Sequence, residues 1–134
     1  MVNSIPTYRR NKNHDGVGKD VLVQDTKIWQ RAANLSIPPF ELADSLDRKH
    51  KYRFVEQLRS AVLSITNNIA EGSGSTSNTD FRNFLKYSRQ SIVETANILI
   101  ILSRAHYIKS EVVIHYINEL EKLSKMIFTF MRFL

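Results

Sequence analysis

Residues 57–74 constrain the fold more than any other stretch of this chain. Leu58, Ala61, Ile65 and Ile69 recur at helical spacing, so one face of a helix must be buried. Asn67, Asn68 and Glu71 then place polar groups in the last turn, and Gly72 is expected to stop the helix. A core helix with a polar end needs partners for both features. The sequence supplies apolar partners and no second catalytic group.

Those partners must come from the same chain, because 134 residues make one domain large enough to bury a core unaided. Cysteine is absent, which excludes disulfides and thiolate metal sites. With only 4 Gly and 3 Pro and no β-type alternation, the composition suits helices. No leader-like apolar segment follows Arg9 and Arg10. The most apolar run, Ile98 to Leu102, is far short of the roughly 20 residues of a membrane span. The chain is therefore expected to be soluble and cytoplasmic, with no membrane partner.

Residues 1–20 contain Pro6, Gly16 and Gly18 without apolar periodicity and read as a flexible N-terminal arm. A solvated tail is the simpler account of Tyr8, Arg9, Arg10 and Lys12 than contact with nucleic acid. From Gln24 a helical seam runs through Ile28, Ala32, Leu35, Pro39, Leu42 and Leu46. Pro38 and Pro39 interrupt it, giving either one kinked helix or two helices with Ser36 capping the second. The seam keeps its phase across the prolines, which favours the kink. The second helix presents Phe54, Leu58, Ala61, Ile65 and Ile69, supported by Val55 and Val62.

Gly72 to Thr79 is a loop by composition, and Ser77 to Asp80 resembles a capping box opening a third helix over 78–104. Its seam is Phe81, Leu85, Ser88, Ile92, Thr95, Leu99 and Leu102. After a turn at 105–109, Ser110 is expected to cap a fourth helix. Val113, Ile117, Leu120, Ile127, Met131 and Leu134 form its inner face, beside a stripe of Tyr116, Leu123 and Phe130. The expected architecture is an all-α, antiparallel, up-down-up-down four-helix bundle over residues 21–134. Helices 3 and 4 carry wider apolar arcs than a monomeric bundle requires, which implies a homo-oligomer.

The run Gln57-Leu58-Arg59-x-Ala61-x-x-Ser64-Ile65-x-x-Asn68-Ile69-Ala70-Glu71-Gly72-x-Gly74 carries a resemblance. With Phe81-x-x-Phe84-Leu85, Ser91-x-x-Glu94 and Ile28-Trp29-Gln30-x-Ala32, it is similar to the four-helix bundle protein family of 23S rRNA intervening sequences. That family resembles the accessory protein (accessory variability determinant) of diversity-generating retroelements. The accessory protein is a toroidal homopentamer with a basic surface that binds nucleic acid and a reverse transcriptase. The resemblance implies a pentamer here and an RNA-related role with a reverse transcriptase or a ribosomal component as partner. It implies no enzyme activity. Three departures stand out: Thr66 where the family often has Pro, Ser60 where a basic residue is common, and the Pro38-Pro39 pair.

The net charge of +6 points the same way, because clustered cations displace counterions from phosphates. The excess is local. Residues 48–60 hold Arg48, Lys49, Lys51, Arg53 and Arg59 against Glu56, and residues 81–104 hold Arg82, Lys86, Arg89 and Arg104 against Glu94. Arg82, Lys86 and Arg89 share one helical face, a candidate phosphate-tracking stripe that an oligomer joins to the residue 48–53 group in a basic ring. The simpler account is a solvated face with Arg89 reaching Glu71 or Glu94. The alternative function is a protein-interaction scaffold that contacts no nucleic acid.

No cofactor or metal is expected. His14, His50, His106 and His115 lack ligand spacing, and Gly72 to Ser77 lacks the Gly-Lys-Ser/Thr ending of a phosphate loop. Asn67, Asn68, Glu71 and Ser64, with Gly72 and Gly74, read as a structural signature that ties the end of helix 2 to helix 3 or to a neighbouring subunit. On this reading Glu71→Ala lowers the melting temperature or disrupts assembly; unchanged melting together with unchanged oligomer mass would count against it.

Overall fold

The structure is a computed structural model and describes residues 26–134. The expected arm, residues 1–20, lies outside the described residues. Four helices follow in order: α1 (Lys27–Arg48), α2 (Tyr52–Ser73), α3 (Asn78–Arg104) and α4 (Ser110–Met131). Each packs on its sequence neighbour and α1 closes on α4, so the four form an antiparallel bundle around one core.

The seams follow a heptad-like rhythm because side chains three and four residues apart share a helix face. In α4 the buried set is Val113, Tyr116, Leu120, Leu123 and Ile127. Tyr116 and Leu123, expected in an adjacent stripe, thus lie on the core line, while Ile117 is half-buried. In α2 the first core position is Val55 and not Phe54, which instead meets the Tyr107 ring at 6.0 Å. Helix α3 buries Leu85, Ser88, Ser91, Ile92, Thr95, Ile98, Leu99 and Leu102.

Helix α1 is one helix through Pro38 and Pro39, in keeping with the preferred reading. Ser36 is no cap: its hydroxyl donates to the Ala32 carbonyl at 2.7 Å in mid-helix. Ser36 and Ala43 occupy the core line that the spacing assigned to Leu35 and Leu42, which are half-buried. Both prolines lack an amide proton, so the carbonyls one turn earlier lose their usual donors. Pro39 is nonetheless buried as an apolar side chain. Helix α1 is tied to α4 by Arg31, which meets Glu119 at 2.6 Å.

Helix α2 passes through Gly72 and ends one residue later, with Gly74 as its C-cap. Gly72 is present for proximity rather than termination. A Cβ built there would lie 2.5 Å from Phe81 Cδ2 and 2.9 Å from Phe84 Cβ, inside any allowed contact. At Gly74 the nearest atom is a backbone oxygen at 3.5 Å, an ordinary contact. Helix α3 opens as expected, the Asp80 amide donating to Ser77 Oγ at 3.1 Å. Helix α4 opens differently: Lys109 is the N-cap and Ser110 is already helical.

The two glycines should therefore separate cleanly. Gly72→Ala is expected to destabilise the bundle by about 2 kcal/mol, the cost of overpacking a close helix contact. Gly74→Ala is expected to change stability by less than about 0.5 kcal/mol. Urea denaturation of both variants checks this, and equal midpoints would contradict it.

Candidate nucleic-acid interface

Antiparallel topology brings the α1–α2 and α3–α4 turns to the same end of the bundle. Both turns are built alike. After α1, the Lys51 amide donates to the Leu46 carbonyl at 3.0 Å and the His50 amide to Asp47 at 2.9 Å. After α3, the Tyr107 amide donates to Leu102 at 2.9 Å and the His106 amide to Ser103 at 3.0 Å. These paired bonds are the Schellman arrangement, which requires one left-handed residue. Histidine fills that position twice, His50 at φ 59 and His106 at φ 64. The sequence behind the pair is a repeat, Leu46-x-Arg48-x-His50 and Leu102-x-Arg104-x-His106.

The same end carries five of the ten exposed Lys and Arg among the described residues. Arg48, Lys49, Arg53, Arg104 and Lys109 are exposed, and none forms an ion pair among the described residues. Lys51 lies between the turns, its Nζ 4.9 Å from the centre of the Tyr107 ring. Over residues 47–56 and 103–111 there are six Lys and Arg against Asp47, Glu56 and Glu111, a net +3. The helices that begin here, α2 and α4, have Lys51 and Lys109 as N-caps with no side-chain acceptor. At the opposite end Thr26 Oγ1 accepts from the Trp29 amide in α1, and Ser77 caps α3. The helix starts at one end have side-chain caps and those at the other do not. An open hollow of about 450 Å³ adjoins the second turn, lined by Ser103, His106, Tyr107, Lys109, Ser110 and Glu111.

The α3 stripe is placed differently from this end. The Arg82 guanidinium donates to the main-chain oxygen of Leu134. Arg89 Nε donates to Ser124 Oγ at 3.1 Å, and its guanidinium carbon lies 4.9 Å from the centre of the Phe128 ring. Arg89 holds α4 and Arg82 the residues that follow it, and neither reaches Glu71 or Glu94. Only Lys86 of the three is exposed without a partner. Arg82 and Arg104 are 22 residues apart on one helix, about 33 Å, so the two basic groups form no single patch on one copy. Arg59 is paired with Asp44 at 2.5 Å, which cancels its charge locally.

The polar signature resolves into a short relay. Asn68 Nδ2 donates to the Ser64 carbonyl at 2.8 Å and to Ser64 Oγ at 2.9 Å, and Ser91 Oγ of α3 donates to Ser64 Oγ at 2.8 Å. Asn68 therefore reaches α3 through Ser64, whereas Asn67 and Glu71 are exposed and make no side-chain bond within the described residues. The loop hydroxyls are used internally, Ser75 Oγ contacting the Gly72 carbonyl at 2.5 Å and Ser73 Oγ the Ala70 carbonyl at 2.7 Å.

Shifted ionisations lie away from all of these groups. Glu119 is held below the usual carboxylate range by hydrogen bonds from Lys122 and then Arg31, and burial pushes the Tyr116 phenol up. Among the described residues no three of His, Cys, Asp and Glu come together as a metal-binding group, and no helix is long and apolar enough to cross a membrane.

Fold and surface together define a small four-helix bundle with one cation-rich end. The chain belongs to the 23S rRNA-intervening sequence protein family, whose model matches residues 24–129. A crystal structure from Bacteroides thetaiotaomicron, described as a protein with unknown function from the S23 ribosomal protein family, is similar in fold. It is 23% identical, with a TM-score of 0.73, over 78% of this chain and 97% of that one. No curated protein matches the chain.

Reasoning along the sequence missed Lys109, His50 and His106 as members of the basic end and counted Arg104 only in the charge of residues 81–104. The Leu-x-Arg-x-His repeat was the available signal. A non-glycine residue in the left-handed region costs about 1 kcal/mol or more. Replacing His50 or His106 with Gly should thus raise stability by about 1 kcal/mol each, read by thermal melting; a loss of stability would show that the imidazoles hold the turns.

Proposed function

We propose that the protein is a non-enzymatic, homo-oligomeric bundle that binds RNA or other nucleic acid through its basic surface. It acts in the cytoplasm as an accessory to ribosomal RNA or to a reverse transcriptase. The observation that carries this reading is the cluster of unpaired cations at the turn end. A solvated helix surface usually intersperses charges of both signs, whereas here five exposed Lys and Arg side chains have no anionic partner among the described residues. Family membership supports an RNA connection through the family's description.

Self-association is supported by apolar surface on the outer side of α3 and α4. Val93, at 69% exposure, and Ile100 follow Arg89 on one helix face, with Ile114 and Phe128 exposed on α4. Five copies is the number the family resemblance implies. In an assembly the exposed Glu71 and Asn67 are available to a neighbouring copy. The scaffold alternative uses the same cations against an acidic protein.

Light scattering across micromolar concentrations is expected to return an oligomer mass; a monomer mass throughout removes the assembly reading. Affinity for a structured RNA should fall steeply between about 50 and 200 mM salt, as counterion release requires. Flat affinity over that range would falsify the nucleic-acid reading and leave the scaffold.

A further inference from the structure

We infer that the turn end is a platform for single-stranded nucleic acid: Arg48, Lys49, Arg53, Arg104 and Lys109 follow the phosphates, and Tyr52 stacks an unpaired base. This rests on the nucleic-acid reading above and names the form of nucleic acid bound and the residues that select it. Three observations carry it.

The first is continuity. The two turns belong to different hairpins, yet Phe54 meets Tyr107 at 6.0 Å and Lys51 lies over the same ring. Cations more than 50 residues apart in sequence therefore flank one surface. The α3 stripe is no competitor, because Arg82 and Arg89 are engaged with α4 and the residues that follow it.

The second is Tyr52. It is 56% exposed in the first residue of α2, between Lys51 and Arg53 in sequence. An exposed aromatic ring leaves apolar area in water that a core position would bury. Tyr52 is also positioned: its hydroxyl lies 2.6 Å from His50 Nδ1, and the two rings meet edge to face at 5.6 Å. A ring held in place among cations is the pairing by which single strands are bound, because each unpaired base offers a free face. A duplex buries those faces in its own stack and gives Tyr52 nothing to cover.

The third is the hollow beside the second turn. Lys109 and His106 line it together with Ser103, Ser110, Tyr107 and Ile108, so the surface past Lys109 is concave and of mixed polarity. Glu111 also lines it and disfavours a phosphate inside. The phosphates are assigned instead to the exposed cations, of which Lys109 lines the hollow and Arg104 follows its Ser103 in sequence.

The test is fluorescence anisotropy with a labelled 20-nucleotide oligouridylate and an RNA duplex of the same length, from 50 to 200 mM salt. The wild-type protein is expected to bind the single strand at least about tenfold more tightly than the duplex. The double variant R104E/K109E, altered at exposed unpaired sites, should lose about tenfold or more in single-strand affinity. Its log-affinity against log-salt slope should become shallower by about 1.4, the loss of two single-strand phosphate contacts. Tyr52→Ala should lose between about 5- and 150-fold with the slope unchanged, and Tyr52→Phe, which keeps the stacking face and loses only the hydroxyl contact with His50, should lose less than Tyr52→Ala.

Lys86→Glu, on the α3 stripe, should stay within about twofold, and circular dichroism confirms that each variant is folded. If the wild-type protein binds RNA but R104E/K109E and Tyr52→Ala bind equally well, this inference falls while the nucleic-acid reading stands. Equal affinity for duplex and single strand likewise overturns it. If the wild-type protein binds neither RNA at 50 mM salt, or if polyglutamate displaces RNA at equal charge concentration, the broader reading falls with it.

Discussion

The bundle depends on the close approach of α2 and α3. Gly72 lets the Phe81 ring and the Phe84 Cβ lie where any side chain would stand. Along the same interface small residues replace large ones. Ser88 Oγ donates to the Ile65 carbonyl at 2.9 Å across the helices, Ser91 meets Ser64, and Thr95 Oγ1 returns to the Ser91 carbonyl at 2.8 Å. Each buried hydroxyl thus has a partner, and a satisfied one contributes about 1 kcal/mol where an orphaned one would cost more. This contact fixes α3, and α3 in turn fixes what stands at each end of the molecule.

The remaining helices are held with less. Helix α4 and the residues that follow it are tied by a few polar contacts at the edges: Arg31 to Glu119 on the α1 side, and Arg82 and Arg89 on the α3 side. The depressed ionisation of Glu119 means that its bonds contribute above the ordinary carboxylate range and are lost as pH falls through the lower folded value. Those contacts also remove Arg82 and Arg89 from the set of free cations. Arg48, Lys49, Arg53, Arg104 and Lys109 at the turn end keep no ion pair among the described residues.

The ends differ for a local reason. Thr26 and Ser77 cap α1 and α3, while Lys51 and Lys109 occupy the same positions in α2 and α4 without capping them. Up-down-up-down order collects the two capped starts at one end and the two uncapped starts at the other. The repeated Leu-x-Arg-x-His turns add Arg48, Arg104, His50 and His106 to the uncapped end. An anionic partner meeting this face encounters six Lys and Arg against Asp47, Glu56 and Glu111, a net positive surface.

Helix number, order and limits were legible in the sequence because apolar periodicity and caps are local properties. So was family membership, through the motif at residues 57–74. Where several apolar residues lay on neighbouring lines, as with Phe54 and Val55 or Leu35 and Ser36, spacing alone could not choose. The packing partner decides which volume fits, and a serine next to its own helix carbonyl fits where leucine does not. The role of Gly72 was equally hidden, since a glycine before a polar loop looks like a stop until Phe81 is seen against it. Only the tertiary structure decided which cations are free. Arg59 pairs with Asp44 15 residues away, Arg31 with Glu119 88 residues away, and Arg89 with Ser124 35 residues away. Charge pairing is set by which helices become neighbours, and the sequence alone states only how much charge there is.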